Sequence, residues 1–113
     1  MLVLGRRVRQ WVQVGDDIYI TIHRIQGDKV RIGIFAPQGV KILRTELIQR
    51  SCHAREGSTG GQLVLTRREN EAIRIGAHIT ITVVKVSRRR VRLGFEAPKK
   101  VAIRRVESPA ILV

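Results

Sequence analysis

The sequence predicts a mainly β fold made from two copies of one small unit, on three observations. Leu2-Val3-Leu4 followed by Arg6-Arg7 returns as Leu63-Val64-Leu65 followed by Arg67-Arg68. The register then holds without a gap through Gly15/Gly76, Ile20/Ile81, Val30/Val91, Gly33/Gly94, Ala36-Pro37/Ala97-Pro98, Ile42/Ile103, Arg44/Arg105 and Glu46/Glu107. Short runs alternate apolar with polar residues, the period of two of a strand with one buried face. Valine and isoleucine are abundant while aromatics make up only 4% of the 113 residues, which suits a small β interior. Each copy has about 50 residues, a size at which a lone hydrophobic core is marginal, so the two copies are expected to share one.

Taken in order, each copy divides into five short strands at its turn signals. The first copy places them near residues 2–7, 10–14, 17–25, 29–35 and 40–44, separated by Gly15-Asp16, by Gly27-Asp28 as a tight hairpin, and by Ala36-Pro37-Gln38-Gly39. Ile18, Ile20 and Ile22 alternate with Tyr19, Thr21 and His23 in the third of these. The second copy places its strands near 63–68, 71–75, 78–86, 89–95 and 100–105, with Val91, Leu93 and Phe95 alternating with Arg92, Gly94 and Glu96. Dense β-branched runs disfavour helix in both. After Arg44, Thr45 can cap a short helix running to Arg50, and Ser108-Pro109 interrupts its counterpart. Residues 51–61, rich in glycine and with little to bury, read as a linker between a first unit at 1–50 and a second at 62–113.

Twenty-two basic against nine acidic residues give a formal charge of +13 and favour a polyanionic partner. The lone cysteine, Cys52, excludes an internal disulfide. No apolar run approaches the roughly 20 residues that span a bilayer, and the opening Met-Leu-Val-Leu precedes its charge instead of following it as in a signal peptide, so a cytoplasmic protein is expected.

Catalytic chemistry needs converging groups, and the sequence offers none. His23 sits on a wet strand face, His53 in the linker and His78 beside a turn, and the acidic residues are scattered. Gly57 to Gly61 lacks the lysine and the strand-to-helix setting of a phosphate loop. Neither an enzyme nor a metal or cofactor is expected.

The arginines recur at two places in each copy, the end of the first strand and the end of the fifth. A guanidinium can hold guanine O6 and N7 together, bind phosphate or stack on a base; charges there also protect sheet edges from unwanted pairing. On spacing alone both readings stand. Three motifs, Leu-x-Leu-x-Arg-Arg, Val-Arg-(Ile/Leu)-Gly-x-x-Ala-Pro and Val-x-Ile-x-Arg-x-Glu, recur twice in order, and with them each copy resembles the CsrA/RsmA carbon storage regulators over about 45 residues. The stretch from Leu63 to Gly76 is especially similar.

That resemblance implies two interlocked five-stranded units, the first and fifth strands of each crossing to sheets built on the other's middle strands. It makes this chain a pseudo-dimer in one polypeptide, although two chains could also swap halves. It further implies binding of GGA-containing single-stranded or hairpin-loop RNA, with translation repressed by occlusion of the ribosome-binding site or with message stability altered. Carried onto this sequence, one composite site combines Leu4, Arg6 and Arg7 with Ala97, Pro98, Ile103 and Arg105. The other combines Leu65, Thr66, Arg67 and Arg68 with Ala36, Pro37, Ile42 and Arg44. Arg44 and Arg105 match the arginine that the family sets against RNA, and neighbouring main-chain groups would read the guanines.

The first copy departs from the family pattern at Gly5, where threonine is usual, at Val8-Arg9-Gln10-Trp11, and at Phe35, Gln38 and Gly39. Exchanged strands would divide these changes between the two sites and make their affinities unequal. Trp11 can stack on a base or pack within the fold. Arg31 and Arg92 are expected on the outer face, as solvated charges or phosphate contacts. The Arg88-Arg89-Arg90 run, which has no counterpart at Gly27-Asp28-Lys29, reads either as a nonspecific RNA contact or as a solvated turn. A protein-interaction module on the same scaffold and a purely charge-driven nucleic-acid binder are the competing functions.

Overall fold

The computed structural model describes residues 1–38, 40, 42–45, 53–54 and 59–107. Eleven strands follow one another: β1 (Leu2–Arg6), β2 (Trp11–Val14), β3 (Ile18–Gln26), β4 (Lys29–Gln38), β5 (Ile42–Thr45), β6 (His53–Ala54), β7 (Thr59–Arg68), β8 (Ala72–Ile75), β9 (Ile79–Val86), β10 (Val91–Glu96) and β11 (Ile103–Val106). Ten of them are the ten strands expected from the turn signals. Thr45 ends β5 instead of capping a helix, and residues 46–50, where that helix was expected, lie outside the described residues.

Two antiparallel sheets form, and each takes its strands from both copies. The six-stranded sheet runs β1-β10-β9-β8-β5-β6 and the five-stranded sheet β11-β2-β3-β4-β7. The middle strands of each copy stay together while the first and fifth leave: β1 pairs with β10 in the register Leu4↔Leu93, β7 with β4 as Leu65↔Ile32, β11 with β2 as Arg105↔Val12 and β5 with β8 as Arg44↔Ile73. The exchange expected from the family resemblance is therefore present, and it occurs within one chain.

Alternation along the strands sends one row of side chains into a single shared core. Val12, Val14, Ile20, Ile22, Ile32 and Ile34 of the first copy meet Ile73, Ile75, Ile81, Val83, Leu93 and Phe95 of the second there. With this many β-branched side chains locked at χ1, the interior strongly specifies strand over helix. Neither half could bury its own row alone.

One bulge recurs in each copy. The β3–β4 register shifts between Ile22 and Arg24, leaving His23 as the extra residue, and the β9–β10 register shifts so that Val84 is extra. The bulged side chains close over glycines on the neighbouring strand: a Cβ at Gly33 would meet the His23 ring, and one at Gly94 would meet Val84 Cγ2 at 3.2 Å as well as the Met1 side chain.

The connector carries more structure than its composition suggested. β7 begins at Thr59, because Ala36↔Gly61 and Gln38↔Thr59 extend the pairing with β4 beyond Leu63. β4 in turn runs on to Gln38, whereas β10, whose partner β1 starts at Leu2, stops at Glu96. Two further connector residues, His53 and Ala54, make up β6.

Candidate functional site

Each copy's first strand ends in a turn with one residue in the left-handed region, Arg9 at φ 74° and Asn70 at φ 72°. The turn closes through Gln10 N–H donating to the Arg7 carbonyl and Glu71 N–H to the Arg68 carbonyl, both at 3.0 Å. It is tied to the third strand by Arg9 N–H on the Ile22 carbonyl at 2.8 Å and Asn70 N–H on the Val83 carbonyl at 2.7 Å. The guanidinium of Arg6 reaches across it, with Nε donating to the Gly5 carbonyl and Nη1 to the Trp11 carbonyl at 3.3 Å. Arg67 repeats this on the Thr66 and Ala72 carbonyls. The spacing Arg-x-x-x-x that separates these arginines from the start of the next strand is thus a brace for the turn.

The two braces differ in charge. Arg67 is 5% exposed and lies 3.6 Å from Glu71 Oε1. At the matching place Gln10 is neutral, and Arg6 meets the charge of Arg105 instead. Burial first and Arg105 second hold the Arg6 guanidinium below its ordinary pKa. Arg6 and Arg105 line one open cavity of about 340 Å³ together with Arg9, Gln10, Val106 and Glu107. Strand exchange produces this juxtaposition, since Arg6 comes from the first strand of one copy and Arg105 from the fifth strand of the other.

The remaining residues of the first composite set take other places. Leu4 is buried in the core and sets the position of β1. Arg7 points away from the cavity, as the strand pleat requires of the residue after Arg6, and lines a separate basin. Ala97 and Pro98 are half-buried and lead into β11 through a turn in which Val101 N–H donates to the Pro98 carbonyl at 2.9 Å. Ile103 packs against the core. Arg9 and Gln10, noticed in the sequence only as departures, are part of the cavity; their position in a turn next to Arg7 was the available signal.

In the second composite set, Leu65, Ile42 and Arg67 are buried and Arg68 is exposed. Thr66 lines a small cavity with Arg24, Lys29 and Arg31. Ala36 belongs to β4, and Pro37 accepts from Val40 N–H at 3.3 Å in the turn matching that of Pro98. The backbone of Arg44 pairs with Ile73 on one side and with His53 of β6 on the other. β11 pairs with β2 alone and ends its sheet among the described residues. Among the described residues, the outer edge of the fifth strand is therefore unpaired at β11 and occupied by β6 of the connector at β5.

Trp11 packs within the fold: its ring centroid is 5.4 Å from that of Phe35, at 46°. Arg31 and Arg92 are both exposed, on the outer face as expected. Among the described residues no group of three His, Cys, Asp or Glu is placed to hold a metal ion, and no helix is long and apolar enough to cross a membrane.

Two antiparallel sheets that complete each other by reciprocal strand exchange, with arginines of both halves facing one groove, define an interlocked, strand-swapped β scaffold. The chain belongs to the CsrA global regulator protein family, whose profile matches it twice, at residues 1–52 and 63–108. It is similar to the translational regulator CsrA of Thermotoga petrophila and of Thermotoga maritima, 55% identical over 49 residues in each case, which is 43% of this chain and 59% of the relative. The translational regulator CsrA of Syntrophomonas wolfei is 55% identical over 47 residues, 42% of this chain and 62% of the relative. The matched segment thus spans about 60% of the length of these curated relatives. No solved structure matches the chain.

Proposed function

We propose that this protein is a post-transcriptional regulator that binds GGA-containing RNA in messenger leaders or small RNAs and acts by covering the ribosome-binding site or altering message stability. The observation that carries the reading is the groove where Arg6 of the first copy and Arg105 of the second converge beside the open edge of β11. Guanidinium groups held at a strand edge with unpaired main-chain donors and acceptors suit the recognition of an unstacked base by its hydrogen-bonding edges and of its phosphate by charge. The names of the relatives support a role in translation, and a net charge of +13 supports an RNA partner. No chemical step, cofactor or metal enters this function, and messenger leaders locate it in the cytoplasm.

The second groove, built from Arg67 and Arg68 with Ala36, Pro37, Ile42 and Arg44, takes RNA more weakly, because Glu71 neutralises Arg67 and β6 occupies the edge of β5. Where both sites engage one RNA, the second event occurs at an effective concentration in the millimolar range if the spacer fits. The test compares a GGA hairpin with a scrambled hairpin at near-physiological salt. Arg105→Ala is expected to weaken GGA binding by about 1 to 3 kcal/mol, with Arg105→Lys only partly restoring it. Equal affinity for both hairpins would replace the reading by charge-driven binding, and no affinity for either by a protein-interaction module.

A further inference from the structure

On the far side of β1 from the Arg6–Arg105 cavity lies an open basin of about 590 Å³ whose wall carries Arg7, Lys85, Arg88, Arg89, Arg90 and Arg92, with Ser87 as the other lining residue. None of the six cationic side chains makes a hydrogen bond or ion pair with the described protein. Glu69, in the turn between β7 and β8, accepts from Val86 N–H at 2.8 Å.

Like charges gathered on a concave wall raise the local potential above what the same charges produce on a flat surface. The six cations repel one another across the basin, so the cluster persists at a cost that a polyanion relieves. The basin is also built. Ser87 N–H donates to the Arg90 carbonyl at 2.8 Å and fixes the hairpin end. The aliphatic stem of Arg90 lies over Gly5, where an added Cβ would stand 3.2 Å from Arg90 Cδ. Gly5 replaces the threonine that the second copy keeps as Thr66, so the missing side chain on β1 is matched by the long one on the hairpin. The equivalent place in the other half is a cavity of about 220 Å³ with Arg24, Lys29 and Arg31, beside a hairpin that carries Gly27 and Asp28 where this one has Arg88 and Arg89.

We infer that this one-sided basin is a sequence-independent docking site for the phosphodiester backbone of RNA that flanks the element held at the Arg6–Arg105 groove. The inference rests on the proposed RNA-binding function for the identity of the polyanion. Continuity favours RNA over an anionic membrane: Arg6 faces the groove and Arg7, the next residue, faces the basin, so a strand rounding the end of β1 passes from one to the other. A concave wall also fits a single chain of phosphates better than a flat array of headgroups.

The test uses the full chain and a 20-nucleotide oligouridylate, which has no GGA, beside the GGA hairpin without flanks. Exchanging the hairpin for the first copy's residues, Arg88→Gly with Arg89→Asp and Arg90→Lys, removes two positive charges and adds one negative, lowering the net charge by three, and keeps a turn that this fold already accommodates. Oligouridylate binding is expected to fall about tenfold or more near 0.15 M salt, with the log-log salt slope shallower by about 2. The exchange should leave the preference for the GGA hairpin over its scramble in place, whereas Arg105→Ala should remove that preference and leave oligouridylate binding within about twofold. Unchanged oligouridylate affinity in the exchanged protein would overturn the inference, as would tighter binding to phosphatidylserine vesicles than to oligouridylate. A parent protein with no GGA preference whose oligouridylate binding still depends on the hairpin would retire the proposed specificity and keep the basin.

Discussion

Arg67 stands 3.6 Å from the carboxylate of Glu71, while Arg6, its counterpart, shares its cavity with the uncharged Gln10 and with Arg105. Three exchanges, Val8 for Glu69, Arg9 for Asn70 and Gln10 for Glu71, leave the first turn net positive and the second neutral. Gln10→Glu should give Arg6 the same partner. The pair lies half-buried in an open cavity and adds on the order of 1 kcal/mol of stability, but a negative charge placed among Arg6, Arg9 and Arg105 offsets their attraction for a polyanion and, on the proposed reading, should lower RNA affinity severalfold. Fluorescence anisotropy with a GGA hairpin would show that loss, and an unchanged or tighter complex would argue against Arg6 and Arg105 as the contact pair.

Arg9 holds φ at 74° in the turn where the other copy has Asn70 at 72°. A side chain with a Cβ is strained there, and asparagine tolerates the conformation better. Arg9→Asn should therefore raise stability by about 0.5 to 1 kcal/mol in urea unfolding while lowering affinity for RNA, since a cation leaves the cavity. Stability and binding moving in the same direction would contradict this assignment.

Gly33 lies beneath the His23 ring in the bulge of β3. Gly33→Ala forces either the ring or the strand to move and should cost about 1 to 3 kcal/mol. Pairing it with His23→Ala should recover most of that loss, a coupling that a double-mutant cycle reads directly.

His53 of β6 pairs with Arg44 and covers the edge of β5. Replacing His53 and Ala54 by proline removes the strand's donors. Titration calorimetry should then show the weaker of two RNA-binding steps tightening while the stronger is unchanged. A protein that gains nothing at the weaker step would show that the connector does not compete with RNA.

Because the exchanged strands belong to one chain, unfolding should be unimolecular, with a Tm independent of protein concentration between about 1 and 100 μM. A Tm that climbs with concentration would indicate that two chains swap halves.

Much of the fold was legible because its signals are local. Ile18-Tyr19-Ile20-Thr21-Ile22 announces a half-buried strand, and Gly27 at φ 64° ends it where expected. The repetition of Leu4 as Leu65 and Ile20 as Ile81 revealed two units but could not say which strand of one pairs with which of the other; only the family resemblance supplied the exchange. Composition misled at Thr59-Gly60-Gly61, where glycine suggested a linker and backbone pairing to β4 made a strand. The site was half legible. Arg6 and Arg105 stood out by recurrence, whereas Arg9 and Gln10 reach the same cavity through a turn conformation that no periodicity encodes. Leu4, Leu65 and Ile42, which the family resemblance places with the site, are buried, as their place in the strand alternation implies.

A regulator made of two separate identical chains must carry every substitution in both of its grooves at once. Joining the exchanged halves in one polypeptide lifts that restriction. Gly5 with Arg90, Arg9 with Gln10, and the connector strand against β5 each alter one side while the other keeps its partner residues. One groove can thus adapt to a new ligand while its twin preserves the old.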